Sequence, residues 1–164
     1  MKKIKKSVLF ICADQWRFDC FSFLNHQYAL TPNLDKLAKK SVIFKSHFAG
    51  IVPCGPSRTT MLTGLYPFIH RSVYNGAPLD KRFTNIAKEA RKLNYNPSLY
   101  GYTDTSWDPR YLDPKDEKNF TYESPMEGFD DGCVLPGSKP KAWANHLNQN
   151  GFEINKAEDL YRGR

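Results

Sequence analysis

Three short apolar runs, each separated from the next by helix-forming residues, constrain this chain most. They are Ser7-Val8-Leu9-Phe10-Ile11-Cys12-Ala13, Val42-Ile43-Phe44 and Pro97-Ser98-Leu99-Tyr100. Short runs rich in Val, Ile and aromatic residues suit strands buried on both faces, as in a parallel sheet. Between the first two, Thr31-Pro32 supplies an N-cap and a first helical position, and Leu34, Leu37 and Ala38 supply an apolar stripe. A second helix is predicted at about 56–63, closed by Gly64. A third is predicted after Thr84, with Ile86, Ala87, Ala90 and Leu93 on one face. Trp143, Ala144 and Leu147 predict a late helix stopped by Gly151. This alternation predicts an α/β domain, its sheet largely parallel and flanked by helices. Ligands of such sheets bind beyond the carboxyl ends of the strands, and Asp14, Cys54 and Tyr102 each follow a predicted strand. Residues 106–140, rich in Pro, Gly, Asp and Lys, read as a loop insertion, with Asp130-Asp131-Gly132 in a solvated turn.

The 164 residues have the length of one domain, and 40% hydrophobic content is ordinary for a packed core. The net charge of +7 invites a nucleic-acid partner. That charge is diffuse, however; its one tight cluster is Lys2-Lys3-Ile4-Lys5-Lys6. A basic surface equally suits an enzyme that attracts anionic esters, and this reading is preferred. The N-terminus imitates a signal peptide, but Asp14-Gln15-Trp16-Arg17 ends its apolar stretch at once. No run approaches a membrane span, and a cytoplasmic location is expected. Cys12, Cys20, Cys54 and Cys133 form no Cys-x-x-Cys pair. Cys12, inside an apolar run, reads as a buried small hydrophobe, Cys20 and Cys133 as unpaired thiols, and His26, His47 and His146 as surface or packing residues.

The segment Val52-Pro53-Cys54-Gly55-Pro56-Ser57-Arg58-Thr59-Thr60-Met61-Leu62-Thr63-Gly64 concentrates the chemistry. Pro56 suits a first helical position, which puts Cys54 at the positive end of the helix, where backbone N–H groups face an anion. Arg58, four residues on, comes round to the same face if the helix begins early enough. A thiolate phosphatase would carry Cys-x5-Arg, whereas Thr60 stands six residues after Cys54. The convergence of a candidate nucleophile, a helix end and a guanidinium points to sulfate or phosphate chemistry.

Cys54-Gly55-Pro56-Ser57-Arg58 with Leu62-Thr63-Gly64 resembles the signature of the sulfatases, in the alkaline phosphatase superfamily. Ala13-Asp14-Gln15-Trp16-Arg17, Tyr74-Asn75-Gly76-Ala77-Pro78-Leu79-Asp80 and Gly101-Tyr102-Thr103-Asp104-Thr105 are similar to the branch of phosphonate monoester hydrolases and phosphodiesterases. The resemblance implies an alkaline-phosphatase-like sulfatase fold. It also implies that Cys54 is converted by a maturation enzyme to formylglycine, an aldehyde that hydrates to a geminal diol.

In that mechanism one diol hydroxyl attacks sulfur or phosphorus, and the second then loses its proton, expelling sulfate or phosphate as the aldehyde re-forms. A divalent cation (Ca²⁺, Mn²⁺ or Mg²⁺) is implied, with Asp14, Gln15 and the Cys54-derived group as ligands. Many sulfatases have two successive acidic residues where this chain has Asp14-Gln15; the neutral Gln15 matches the phosphonate monoester hydrolase pattern. Arg58 is expected to stabilise the formylglycine oxyanion or to hold the site together. Asn75 and Tyr102 are expected to bind the ester's non-bridging oxygens, and His70 to orient its loop. Family members are several times longer, and further metal ligands, a histidine acid and a lysine come from their downstream half. The chain is therefore expected to be the N-terminal portion of a sulfatase catalytic domain, incomplete at its C-terminus. A truncated, inactive remnant or binding fragment is the alternative.

Overall fold

The structure, a computed structural model, describes residues 6–123, 125–134 and 141–160. It divides into two compact units, Met1–Phe48 and Ala49–Arg164.

In the first unit, helix α1 (Pro32–Ala38) starts as its Thr-Pro pair predicts, with Pro32 in the first turn. The Thr31 side chain accepts no cap bond from the first turn of α1. Its Oγ1 instead accepts the Ser22 N–H at 3.0 Å, and Ser22 Oγ donates to both carboxylate oxygens of Asp35 at 2.8 and 2.7 Å. This ties α1 to the short 3₁₀ turn Ser22–Leu24. The predicted strands at 7–12 and 42–44 do not form; both are irregular, and Val8, Leu9, Val42 and Phe44 are exposed, as is Cys12, contrary to its expected burial in the first of them. A parallel strand is held by its neighbours' ladders, and among the described residues none pairs with either run.

The second unit carries helices α2 (Cys54–Thr63), α3 (Pro67–His70), α4 (Ile86–Lys92) and α5 (Lys141–Gln149). Strands β1 (Ser98–Gly101) and β2 (Asp130–Val134) form a two-stranded parallel sheet. β2 contains Asp130-Asp131-Gly132, so part of the supposed loop insertion is strand. Its register slips opposite Leu99 and Tyr100, leaving Gly132 as the extra residue of a bulge. A Cβ on Gly132 would come within 2.6 Å of the exposed Tyr100 ring, which would have to swing aside to admit it.

Asn85, not Thr84, caps α4. Its Oδ1 accepts the Ala87 and Lys88 N–H groups, each at 3.0 Å, while its Nδ2 donates to the Glu127 carbonyl at 2.8 Å. One residue thus closes a helix and fixes the chain that leads into β2. Lys88 pairs with Glu127 at 2.7 Å and Arg91 with Asp130 at 2.7 Å, along the same seam. Of the predicted apolar face of α4, Ala87 is buried, whereas Ile86 and Leu93 are exposed. α5 forms where predicted, and Gly151 takes φ +86° beyond its end. Among the described residues the buried set includes Thr59, His70, Ser72, Asn85, Thr103, Asp104, Thr105 and Asp108, against five apolar residues. The centre of this unit is accordingly held by hydrogen bonds as much as by apolar burial.

Candidate active site

α2 begins two residues earlier than Pro56 suggests. Pro53 occupies the cap, and the Ser57 N–H closes the first turn on the Pro53 carbonyl at 3.1 Å. Pro56 is the third helical residue, still within the turn whose N–H groups have no intrahelical acceptor, so it costs no bond. Gly64 ends the helix at φ +69°, its N–H donating to the Thr60 carbonyl at 2.9 Å.

This start changes the expected anion-binding helix end. The Gly55 N–H donates to Asn75 Oδ1 at 2.8 Å, Pro56 has no N–H, and the Ser57 N–H is used in the first turn. Residues 55–57 therefore offer no open backbone donor, and what remains of the helix-end effect there is the dipole. Asn75, predicted to meet the ester, supplies the acceptor that satisfies this end.

Cys54 is half-buried at the first position of α2, and Arg58 follows one turn later. The Arg58 side chain is 13% exposed and is gripped from the loop after β1. Its Nη1 donates to the Tyr102 carbonyl at 2.8 Å, its guanidinium lies 4.5 Å from the centre of the Tyr102 ring, and its Nε stands 3.7 Å from Asp104 Oδ2. Tyr102 thus meets Arg58 with both its backbone and its ring, a cation–π arrangement.

The same loop abuts the helix start. The Asp104 carbonyl accepts the Gly76 N–H at 2.9 Å, and a Cβ on Gly55 would lie 2.6 Å from that carbonyl oxygen. Below it, Thr59 Oγ1 donates to the Gly55 carbonyl at 2.9 Å and lies 3.0 Å from Thr105 Oγ1, both residues being buried. Sequence reasoning missed Thr59, Thr105 and the carboxylate of Asp104 as supports of the site. Their one sequence signal is that Asp104 and Thr105 complete the Gly101–Thr105 segment beside Tyr102.

His70 ends α3 and is buried. Its Nδ1 accepts the Ser72 N–H at 3.1 Å, so Nε2 carries the proton and donates to Thr60 Oγ1 at 2.9 Å. Thr60 Oγ1 in turn donates to the Pro56 carbonyl at 3.0 Å. Burial pushes the imidazole pKa below its ordinary value, consistent with a neutral ring.

A charged cluster flanks this region. Arg110 donates to Asp108 Oδ1 and Oδ2 at 2.9 and 2.6 Å and to Asp80 at 2.9 Å. The Arg110 bonds, with a backbone bond from Lys81, hold the Asp108 carboxyl well below the usual carboxylate range.

Asp14 and Gln15 lie in the first unit, in a turn where Gln15 takes φ +56°. The carboxylate of Asp14 and the amide carbonyl of Gln15 are hard oxygen donors of the kind that divalent cations take. Among the described residues no three His, Cys, Asp or Glu side chains stand together as a metal site. Nor is any described helix long and apolar enough to cross a membrane.

The sequence model of the Sulfatase family matches residues 6–153, and the chain belongs to that family of hydrolases, within the alkaline phosphatase superfamily. It is 38% identical over 164 residues to the multifunctional alkaline phosphatase superfamily protein PehA of Trinickia caryophylli, covering 96% of this chain and 32% of that protein. Two solved structures are similar. The phosphonate monoester hydrolase SpPMH of Silicibacter pomeroyi superposes with a TM-score of 0.84 at 42% identity, over 98% of this chain and 32% of that one. The phosphonate monoester hydrolase of Agrobacterium radiobacter does so with a TM-score of 0.77 at 48% identity, over 85% and 27% respectively. The architecture is thus part of a sulfatase fold, and the chain spans about a third of the length of these relatives.

Proposed function

We propose that this chain is the nucleophile-bearing part of a formylglycine-dependent hydrolase acting on sulfate esters or on phosphonate and phosphate esters. The observation that carries this reading is the pairing of Cys54 and Arg58 one turn apart, with Arg58 clamped by the Tyr102–Asp104 loop. Similarity to phosphonate monoester hydrolases supports the phosphorus side of the substrate range, as does the neutral Gln15 beside Asp14.

Conversion of Cys54 to formylglycine would give a diol whose attack on sulfur or phosphorus needs no separate water to release the product. Arg58, already oriented, would stabilise the oxyanion at that position. Asp14 and Gln15 would supply oxygen ligands to a divalent cation, with further ligands from other residues. That cation would neutralise ester oxygens and acidify the attacking hydroxyl. Asn75 would keep the start of α2 in place while its exposed amide faces the ester. Tyr102 would fix Arg58 and line the same pocket.

The test is mass spectrometry of the peptide containing Cys54 from protein made in a host with a formylglycine-generating system, followed by turnover assays on sulfate esters, phosphodiesters and phosphonate monoesters. An aldehyde at Cys54 with turnover lost in Cys54→Ala is the expected result. A thiol at Cys54 in that host, with no turnover of any ester, sinks the proposal.

A further inference from the structure

We propose that the cleft beside the end of α3, walled by segments 78–83 and 108–110, binds a small carboxylate with an apolar body, independently of the hydrolase reading. Its volume of about 360 Å³ is that of a small-molecule site. Neither Cys54 nor Arg58 lines it. Arg71, Arg82 and Arg110 do, against the carboxylates of Asp80 and Asp108. The His70 ring beside them is neutral, its Nδ1 accepting the Ser72 N–H, so the walls carry one positive charge in excess.

That excess is not shared evenly. Arg110 is spent, since it reaches both oxygens of Asp108 at 2.9 and 2.6 Å and Asp80 at 2.9 Å. Arg82 lies farther from Asp80, at 3.7 Å, with its guanidinium 4.7 Å from the centre of the Phe83 ring. The Arg71 side chain has no hydrogen-bond or ion-pair partner among the described residues. Its backbone is nevertheless held on both sides. The Arg71 N–H donates to the Pro67 carbonyl at 2.8 Å, and the Ser72 N–H to His70 Nδ1 at 3.1 Å. Arg71 takes φ +56°, where glycine or asparagine would sit with less strain, so local geometry does not call for an arginine. An unused guanidinium on a fixed backbone in a concave site fits a carboxylate through two parallel N–H donors. Ile69, Pro78, Phe83 and Pro109 supply apolar wall for the rest of the ligand. The single excess charge matches one carboxylate.

Cinnamate is the probe, titrated by calorimetry at neutral pH into the full-length protein, with cinnamamide as its uncharged and nearly isosteric analogue. Saturable cinnamate binding is expected, with cinnamamide weaker by about tenfold or more. Arg71→Asn is expected to lose a similar factor for cinnamate, and asparagine is chosen because it keeps the left-handed turn. Equal affinity for the two probes overturns the proposal, and that comparison needs no variant to fold. Cinnamate affinity unchanged in Arg71→Asn overturns it as well, since the carboxylate would then sit on another cation, Arg58 included. So does a titration with no sign of saturation at about 10 mM cinnamate. Neither probe is an ester, so failure of the hydrolase reading and failure of the carboxylate site are separate results.

Discussion

His70 Nε2 lies 2.9 Å from Thr60 Oγ1, and through that hydroxyl the imidazole reaches the Pro56 carbonyl in the first turn of α2. The chain of bonds needs a neutral ring, because Nδ1 is occupied as an acceptor by the Ser72 N–H. Burial lowers the folded-state pKa, so once the pH falls below about 6.5 the unfolded chain binds the proton first. Stability from this group is full above that pH and is lost as the pH falls from there through the lowered value. Melting temperatures between pH 5 and pH 8 are expected to drop on the acid side, and His70→Gln to flatten that drop. The substitution also costs about 1–3 kcal/mol at neutral pH, from the polar groups it leaves unpaired. An unchanged pH slope in the variant would assign the titration elsewhere.

Gly55→Ala sets two effects against each other. Alanine favours a helix interior by about 1 kcal/mol, but its Cβ would stand 2.6 Å from the Asp104 carbonyl oxygen and 3.0 Å from the Asn75 Cα. Both neighbours are backbone atoms and cannot swing aside, so the clash is expected to win by about 1–3 kcal/mol. Thermal denaturation decides it, and a stabilised variant would show that the Asp104 loop yields.

Asn75 has a bond to the helix and a proposed contact with the ester, and two substitutions separate them. Asn75→Ala removes the acceptor for the Gly55 N–H and should cost about 1 kcal/mol. Asn75→Asp keeps an acceptor and places a negative charge at the helix N-terminus, where the dipole welcomes it. The aspartate variant is expected to melt near the unsubstituted protein yet bind anionic esters more weakly. Equal ester affinity in both proteins would remove Asn75 from the substrate site.

Asn85→Ala tests the seam between α4 and β2. It would leave the Ala87 and Lys88 N–H groups and the Glu127 carbonyl without this buried partner, at a cost of about 1–3 kcal/mol. Chemical denaturation measures the loss. Asn85→Asp should recover part of it, since a carboxylate still caps the helix but cannot donate to Glu127.

Asp108 carries the opposite sign of pH dependence from a raised group. Its carboxyl pKa is depressed chiefly by Arg110, so its contribution is present above the ordinary carboxylate value and lost as the pH falls through the folded one. Acid titration of Asp108→Asn is expected to show a shallower loss of stability below about pH 4 than the unsubstituted protein.

What the sequence determined by itself is whatever short-range chemistry encodes. Thr31-Pro32 marks the start of α1, Gly64 the end of α2 and Gly151 the stop after α5, because capping and left-handed turns depend on a few neighbouring residues. The segment Cys54–Gly64 likewise carries its family in its own residues, and residues 6–153 match that family throughout. Strands were legible only where a partner is present: β1 forms because β2 pairs with it, while the runs at 7–12 and 42–44, equally apolar, stay irregular among the described residues. The tertiary structure alone decided that Asn75 closes the helix start, that Asp104 neutralises Arg58 and that His70 reaches Pro56 through Thr60. Those residues lie 10 to 46 positions from their partners, and no local propensity encodes which distant donor will meet which acceptor.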